Sequence, residues 1–239
     1  VSPSMDTEYE AGVEMGKFFA DKGIKTAAIY GAFIPNPMHV YRTAGVLAGL
    51  GLSYGGATTE EDVVGLIFAD QGIDLSKISG DIKIVSYLQG YGDTTTDEIN
   101  AAIQAAPEAF ISVGMATTFF TQQLNAAGIE FSDIDSFTKS NGEAITNGKL
   151  VYLAGKYSSS VGPAFALVMN AINGNVIRDA QGNAVSLSQN YQVATDSETF
   201  DKFYKNDNGD NPIYSRDTLD QIIGDTVTFD TINEVVASN

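Results

Sequence analysis

Short apolar runs alternate with amphipathic helical stretches over most of the chain, and this alternation is the strongest constraint on its fold. Residues 26–31 and 109–113 are apolar without alternating polar positions, which is typical of strands covered on both faces. Ala11, Met15 and Phe19 fall on one stripe of a helix. Strands separated by helices imply parallel β–α–β units. We therefore expect an α/β fold with an open, doubly wound, mostly parallel sheet and helices on both faces.

The same patterns locate the remaining elements. We expect helices from the capping box at Thr7 to Gly23 and over residues 41–50, 60–71, 95–106, 115–127, 158–173, 215–224 and 231–237. Strands are expected over 82–87, 133–138, 150–154 and within 184–194, and a polar linker over 206–211.

Composition excludes several classes of function. The chain has 30 acidic and 13 basic residues, a net charge of −17, and nucleic-acid binding requires basic residues along the phosphates. It has no cysteine, so disulfide scaffolds, thiolate zinc sites and cysteine nucleophiles are absent. The lone histidine, His39, which we expect at the surface or capping a helix, cannot form a histidine-rich metal site. We expect neither a metal nor another cofactor.

A ligand site is expected beyond the carboxyl ends of the strands, where open α/β sheets bind ligands. The loops there and the residues just beyond them contain Phe33, Arg42, Tyr91 and Lys156. Aromatic rings with a few convergent polar groups suit a neutral polar ligand. Arg42 could equally form an ion pair, and Lys156 could be a plain surface lysine. No phosphate-binding loop and no nucleophile–base pair is present.

The order of these elements resembles the second lobe of type I periplasmic binding proteins, the superfamily of ribose-binding protein and the lac-repressor core. The resemblance rests on residues 6–12, the strand at 26–31, the motif Arg42-x-x-Gly45, residues 107–113 and residues 157–162, and it covers about residues 1–195. In that family two α/β lobes clamp a small ligand, often a sugar.

The resemblance implies a division of the chain into three parts. Residues 1–156 would be a C-terminal-type lobe, 157–195 a hinge crossing and return segment of the other lobe, and 196–239 a C-terminal extension, with most of the first lobe missing. The helix at 158–173 would then lack its usual partner sheet. We therefore expect its apolar stripe to be buried by dimerisation, by swapping or by docking onto the lobe, the stripe being Val161, Phe165, Val168 and Ile172.

Four family positions carry over to this sequence. The arginine falls on Arg42, the polar residue after the third strand on Ser112, the acid on Thr138 and the hinge glutamine on Lys156. The last three depart from the sugar-binding pattern, and a ligand with a negative group would suit Arg42 with Lys156 better.

The resemblance implies an extracytoplasmic solute-binding protein, not an enzyme, that delivers a small polar ligand such as a sugar to an ABC transporter permease. It would lie in the periplasm or on the cell surface, held by a lipid anchor on the missing N-terminal part. The alternatives are the effector-binding core of a lac-repressor-type regulator and, third, an α/β enzyme. The strong acidity and the C-terminal tail, which is similar to tails of Gram-positive lipoproteins, favour transport over regulation.

Overall fold

The structure is a computed structural model that describes residues 5–90, 93–210 and 212–237. In these residues the strands are β1 (Thr26–Tyr30), β2 (Ser53–Tyr54), β3 (Ile78–Ser79), β4 (Lys83–Leu88), β5 (Ala109–Ser112), β6 (Glu130–Ser136), β7 (Leu150–Lys156) and β8 (Gln192–Ala194). The helices are α1 (Met5–Asp21), α2 (Pro37–Gly49), α3 (Glu60–Asp70), α4 (Asp93–Gln104), α5 (Ala116–Phe119), α6 (Thr121–Ala127), α7 (Lys139–Thr146), α8 (Val161–Ile172), α9 (Ser197–Asn208), α10 (Arg216–Asp220) and α11 (Phe229–Ala237).

Six of the strands form one sheet in the order β4-β1-β5-β6-β7-β8. The strands from β4 to β7 are parallel, and β8 is antiparallel to β7 at the edge. The residues of β5 and all but the first of β1 are buried, as continuous apolar strands covered on both faces should be. The predicted α/β fold with an open, mostly parallel sheet is confirmed.

Helices α1 and α2 lie in direct backbone contact. A Cβ atom added at any one of four glycines would overlap a backbone carbonyl oxygen of the opposite helix. We call these residues the glycine seam, which consists of Gly12, Gly16, Gly45 and Gly49. Because each pair is spaced four residues apart, its members lie on one face of their helix. Only glycine allows the two helix axes to come this close.

Helix boundaries near β6 differ from the sequence-based expectation. The strand expected over 133–138 lies at Glu130–Ser136, and α7 begins soon after it at Lys139. The hydroxyl of Thr138 accepts the Asn141 N–H and caps this helix. The helix expected over 115–127 is broken at Phe120, whose buried ring packs 4.9 Å from that of Tyr30.

The C-terminal half also corrects the expectation. Only the last three residues of the β-like stretch 184–194 form a strand, and most of the expected linker at 206–211 belongs to or directly follows α9. Phe200 and Phe203 of this helix pack against Phe137, with ring centroids 6.0 Å and 5.2 Å apart. Tertiary packing of aromatic rings therefore holds a helix whose local sequence is polar.

One expectation was that the apolar stripe of α8 docks onto the lobe of the same chain. This was wrong, because the stripe does not pack against the rest of the chain. Its residues are 51–71% exposed, namely Val161, Phe165, Val168 and Ile172. The opposite face is buried instead, where Ala166 packs with Leu187 and Ile222 in a small second core. The Asn170 amide donates to the Ile222 carbonyl at 2.8 Å, which fixes α8 to the segment after α10.

Across the residues that the structure describes, no helix combines the length and the apolar character needed to cross a membrane.

We expect Gly45→Ala to lower the free energy of unfolding by about 3 kcal/mol, because the new methyl group forces α1 and α2 apart. Gly65→Ala in α3 is the matched control, since a Cβ atom there meets open space. That change should raise the free energy of unfolding by about 0.5–1 kcal/mol through helix propensity. Urea denaturation measures both, and similar effects of the two changes would contradict the glycine seam.

Candidate functional site

A pocket of about 230 Å³ lies where β6 and β7 end, beside α2. We call it the Arg42 pocket, and its lining consists of Arg42, Ile134, Asp135, Ser136, Lys156 and Tyr191. Open α/β sheets bind ligands outside the carboxyl ends of their strands, and the pocket lies at the carboxyl ends of β6 and β7.

Arg42 forms the back of the pocket and is only 5% exposed. Its Nε donates to Glu8 Oε2 at 2.5 Å, and its Nη1 donates to the Val113 carbonyl oxygen at 2.9 Å. Its Nη2 donates to the Tyr191 hydroxyl at 2.5 Å. The ion pair that the sequence left open therefore exists, and it holds the guanidinium in one orientation against the end of β5.

Glu8 is completely buried on α1, one turn before the glycine seam begins. Because α1 and α2 are in backbone contact at the seam, the carboxylate of Glu8 lies directly against Arg42 of α2. Oε2 also accepts the Tyr191 hydroxyl at 2.9 Å. Among the described residues Oε1 has no hydrogen-bond partner, and it faces Lys156 Nζ at 3.8 Å.

Lys156 is the last residue of β7, and its side chain is 29% exposed. Its Nζ lies 4.7 Å from the centroid of the Tyr191 ring, a cation–π distance. Burial lowers the pKa of Lys156 to about 8, and the charge of Glu8 partly opposes this shift. At neutral pH Lys156 is therefore still mostly charged, but it loses its proton readily above pH 8.

Asp133 lies behind the pocket, fully buried in β6. Its Oδ1 accepts the Ser112 hydroxyl at 3.1 Å, and its Oδ2 accepts the Thr117 N–H at 2.7 Å. These bonds connect the ends of β5 and β6 to the start of α5. Burial raises the pKa of Asp133 to about 6, and the nearby charge of Asp135 adds to the rise.

The structure distributes the predicted site residues unevenly. Arg42 and Lys156 line the same pocket. Ser112 is buried, and its hydroxyl donates to Asp133. Thr138 caps the start of α7. Neither residue lines the pocket. Phe33 is 48% exposed after β1. Tyr91 lies outside the described residues.

His39 was expected at the surface or capping a helix. It is only 6% exposed, so the surface position was wrong, and its Nδ1 accepts the Phe33 N–H at 2.9 Å just before α2. Burial lowers the pKa of His39, so the ring is neutral at pH 7. Within the described ranges, no three His, Asp or Glu side chains come together in a way that could hold a metal ion.

Sequence reasoning missed five residues of the site: Glu8, Ile134, Asp135, Ser136 and Tyr191. Asp135 and Ser136 end a strand that was expected to run two residues further, so they were assigned to its body. Glu8 and Tyr191 are 183 positions apart, and no local pattern joins them.

No protein-family model matches this sequence, and no curated protein is significantly similar to it. Solved structures do resemble it. One is a periplasmic solute-binding protein of an ABC transporter from Actinobacillus succinogenes 130z with bound D-allose, at 15% identity and a TM-score of 0.54. The similarity covers 82% of this chain and 61% of that one.

Two further structures have the same architecture. The periplasmic binding protein of the arabinose ABC transporter from Shewanella sp. ANA-3, bound to α- and β-L-arabinofuranose, shares 17% identity at a TM-score of 0.55, over 84% of this chain and 61% of that one. The arabinose-binding protein AraP from Geobacillus stearothermophilus shares 12% identity at a TM-score of 0.54, over 82% and 63%.

The chain thus has the fold of type I periplasmic binding proteins, which confirms the resemblance seen in the sequence. It spans about three fifths of the length of these structures. These three neighbours are binding proteins, and at this level of identity the similarity establishes the fold alone.

The buried Asp133 should give the fold a distinct pH dependence. Its pKa in the folded state, about 6, lies above the ordinary 3.8, so the stability it contributes is fully present below about pH 4 and is lost as the pH rises through 6. The loss amounts to about 3 kcal/mol for a shift of about two units.

Urea denaturation of wild type and Asp133→Asn between about pH 4 and pH 7 isolates this contribution. The stability of the wild type relative to the variant should fall over that range. Asp81→Asn, at an exposed position, controls for the loss of one carboxylate. Parallel stability curves for the wild type and Asp133→Asn would contradict the assignment.

Proposed function

We propose that this chain is the ligand-binding lobe of an extracytoplasmic solute-binding protein, which takes up a small neutral polar solute such as a sugar and delivers it to an ABC importer. The observation that carries the proposal is the Arg42 pocket. It combines charged donors, a carboxylate and a serine hydroxyl at the end of the sheet where such folds bind ligands.

The charges of the pocket favour a neutral ligand over the anion expected from Arg42 and Lys156. Glu8 is paired with Arg42 at 2.5 Å and lies 3.8 Å from Lys156, and Asp135 adds a second carboxylate to the lining. An anion would compete with Glu8 for both cations. Sugar hydroxyls can instead donate to the carboxylate of Asp135 and accept from Lys156.

The relatives in fold support the same ligand class. The proteins from Actinobacillus succinogenes and Shewanella were solved with D-allose and L-arabinofuranose, and both belong to ABC transporters. We carry over a sugar ligand, a permease partner and a location outside the cytoplasm as parts of this proposal. The lipid anchor and the division at residues 156 and 195 belong to it as well.

We also propose that the exposed stripe of α8 is covered by a second copy of the chain. Four large apolar side chains more than half exposed along one helix form a contiguous patch of the kind that marks interaction surfaces. The stripe matches itself in a symmetric pair, since two identical apolar faces are complementary without charged partners.

A titration tests the ligand class. We expect a panel of neutral sugars to contain binders and a panel of small organic anions to contain none, as measured by NMR chemical-shift changes. Lys156→Gln should weaken sugar binding about tenfold, because it removes a charged hydrogen-bond donor. Lys17→Gln, at an exposed position on α1, should leave binding unchanged.

The pH dependence gives a second readout of the same contact. Wild-type affinity should fall as the pH rises through about 8, where Lys156 loses its proton, and this fall should be absent in Lys156→Gln. Binding of anions without binding of sugars would show the ligand class to be wrong.

Light scattering tests the pairing through α8. The chain should self-associate with increasing concentration, and Val168→Glu should abolish the association because it places a charge in the middle of the stripe. Leu75→Glu changes an exposed apolar residue outside the stripe and should not affect it. A wild type that stays monomeric at the concentrations used for NMR would refute the dimer.

A further inference from the structure

A second pocket, of about 380 Å³, adjoins Lys156. The end of β7, the segment that leads into β8, and α11 form its walls. We call it the amide pocket, because four of the residues around Lys156 in its lining carry primary amides: Gln189, Asn190, Gln192 and Asn233. Lys156 lines both this pocket and the Arg42 pocket, so the two are neighbours.

Apart from Lys156, the side chains that line the amide pocket are uncharged. Each primary amide offers two N–H donors and one carbonyl acceptor. None of the described residues that line the pocket is acidic, although the whole chain carries 30 acidic residues. A surface with balanced donors and acceptors and little charge matches a ligand rich in hydroxyl groups, since each hydroxyl both donates and accepts.

Two of these amides are available to a ligand. The Nε2 of Gln189 donates to the Tyr214 hydroxyl at 2.7 Å, which holds this amide in place. Within the part of the chain that the structure describes, the side chains of Asn190 and Asn233 make no hydrogen bond. Tyr157 and Val236, 6% and 7% exposed, supply apolar surface to the same lining. Apolar surface beside a few polar groups is typical of small-molecule sites.

We infer that the amide pocket is a second sugar subsite, so that the ligand of this chain is an extended neutral glycan of at least two units. The inference rests on the proposed function, because the first unit occupies the Arg42 pocket. The next unit passes Lys156 and is bound by the amides. Asn233 comes from α11, so the C-terminal helix forms part of the binding surface.

Side-chain NH₂ resonances provide a direct test in the 239-residue chain. The resonances of Asn190 and Asn233 are assigned from the Asn190→Ala and Asn233→Ala variants. Neutral disaccharides and their component monosaccharides are then titrated. We expect the disaccharide that binds to shift both NH₂ groups, and its monosaccharide to shift the backbone amide of Ser136 without shifting them. The disaccharide should bind about tenfold more tightly, the effect of one or two net hydrogen bonds.

The double variant Asn190→Ala/Asn233→Ala should lose this tenfold gain and keep the affinity of the wild type for the monosaccharide. Glu234→Ala, the exposed neighbour on α11, should keep the gain. If a monosaccharide binds but the disaccharide gains nothing, or if the double variant keeps the gain, the subsite is wrong and the proposed function stands. If neither sugar length binds, the proposed function fails and the subsite fails with it.

Discussion

The close contact of α1 and α2 at the glycine seam is the constraint on which the site depends. A single added methyl group would meet a backbone carbonyl oxygen, so the distance between the helices is fixed to within the size of an atom. Glu8 lies just before the seam on one helix, and Arg42 lies beside it on the other. The close packing at the seam therefore has an electrostatic consequence, because it brings Glu8 and Arg42 together beneath the pocket.

A buried ion pair loses much solvation energy and is stabilising only when further polar groups complete its hydrogen bonds. Here the Val113 carbonyl and the Tyr191 hydroxyl supply hydrogen bonds from two other parts of the chain. Glu8 Oε1 has no hydrogen-bond partner among the described residues, and the charge of Lys156 at 3.8 Å is what faces it. The net charge of the pocket therefore depends on the whole tertiary structure, because the buried carboxylate of Glu8 offsets the positive charges of Arg42 and Lys156.

Much of the fold was predictable because it follows from local periodicity. The apolar runs of β1 and β5 and the stripe of α1 needed no knowledge of their partners. The prediction failed where distant contacts decide, because α9 is held by the ring of Phe137 and not by an apolar pattern of its own. For α8 only the docking of its stripe onto the same chain was wrong, since the face buried within the chain is the one with Asn170. Arg42 and Lys156 could be found from their places near the carboxyl ends of strands and from the resemblance to the family, because Lys156 ends β7 and Arg42 lies in the helix that follows β1. Glu8 had no signal, because an acid near the start of a helix is normally exposed. The spacing of Gly12, Gly16, Gly45 and Gly49 was a visible signal that points to close helix packing.

The antiparallel pairing of β7 with β8 decides which residues close one side of the Arg42 pocket. Gly155 pairs with Gln192 and Leu153 with Ala194, so the strand that leaves the sheet and the strand that returns form one ribbon. β7 is also paired with β6 on its other side, so β8 continues the six-stranded sheet as its edge strand. The return of the chain places Tyr191, the residue before β8, over Lys156 at the end of β7 and against the guanidinium of Arg42. The edge of the sheet therefore doubles as one wall of the pocket.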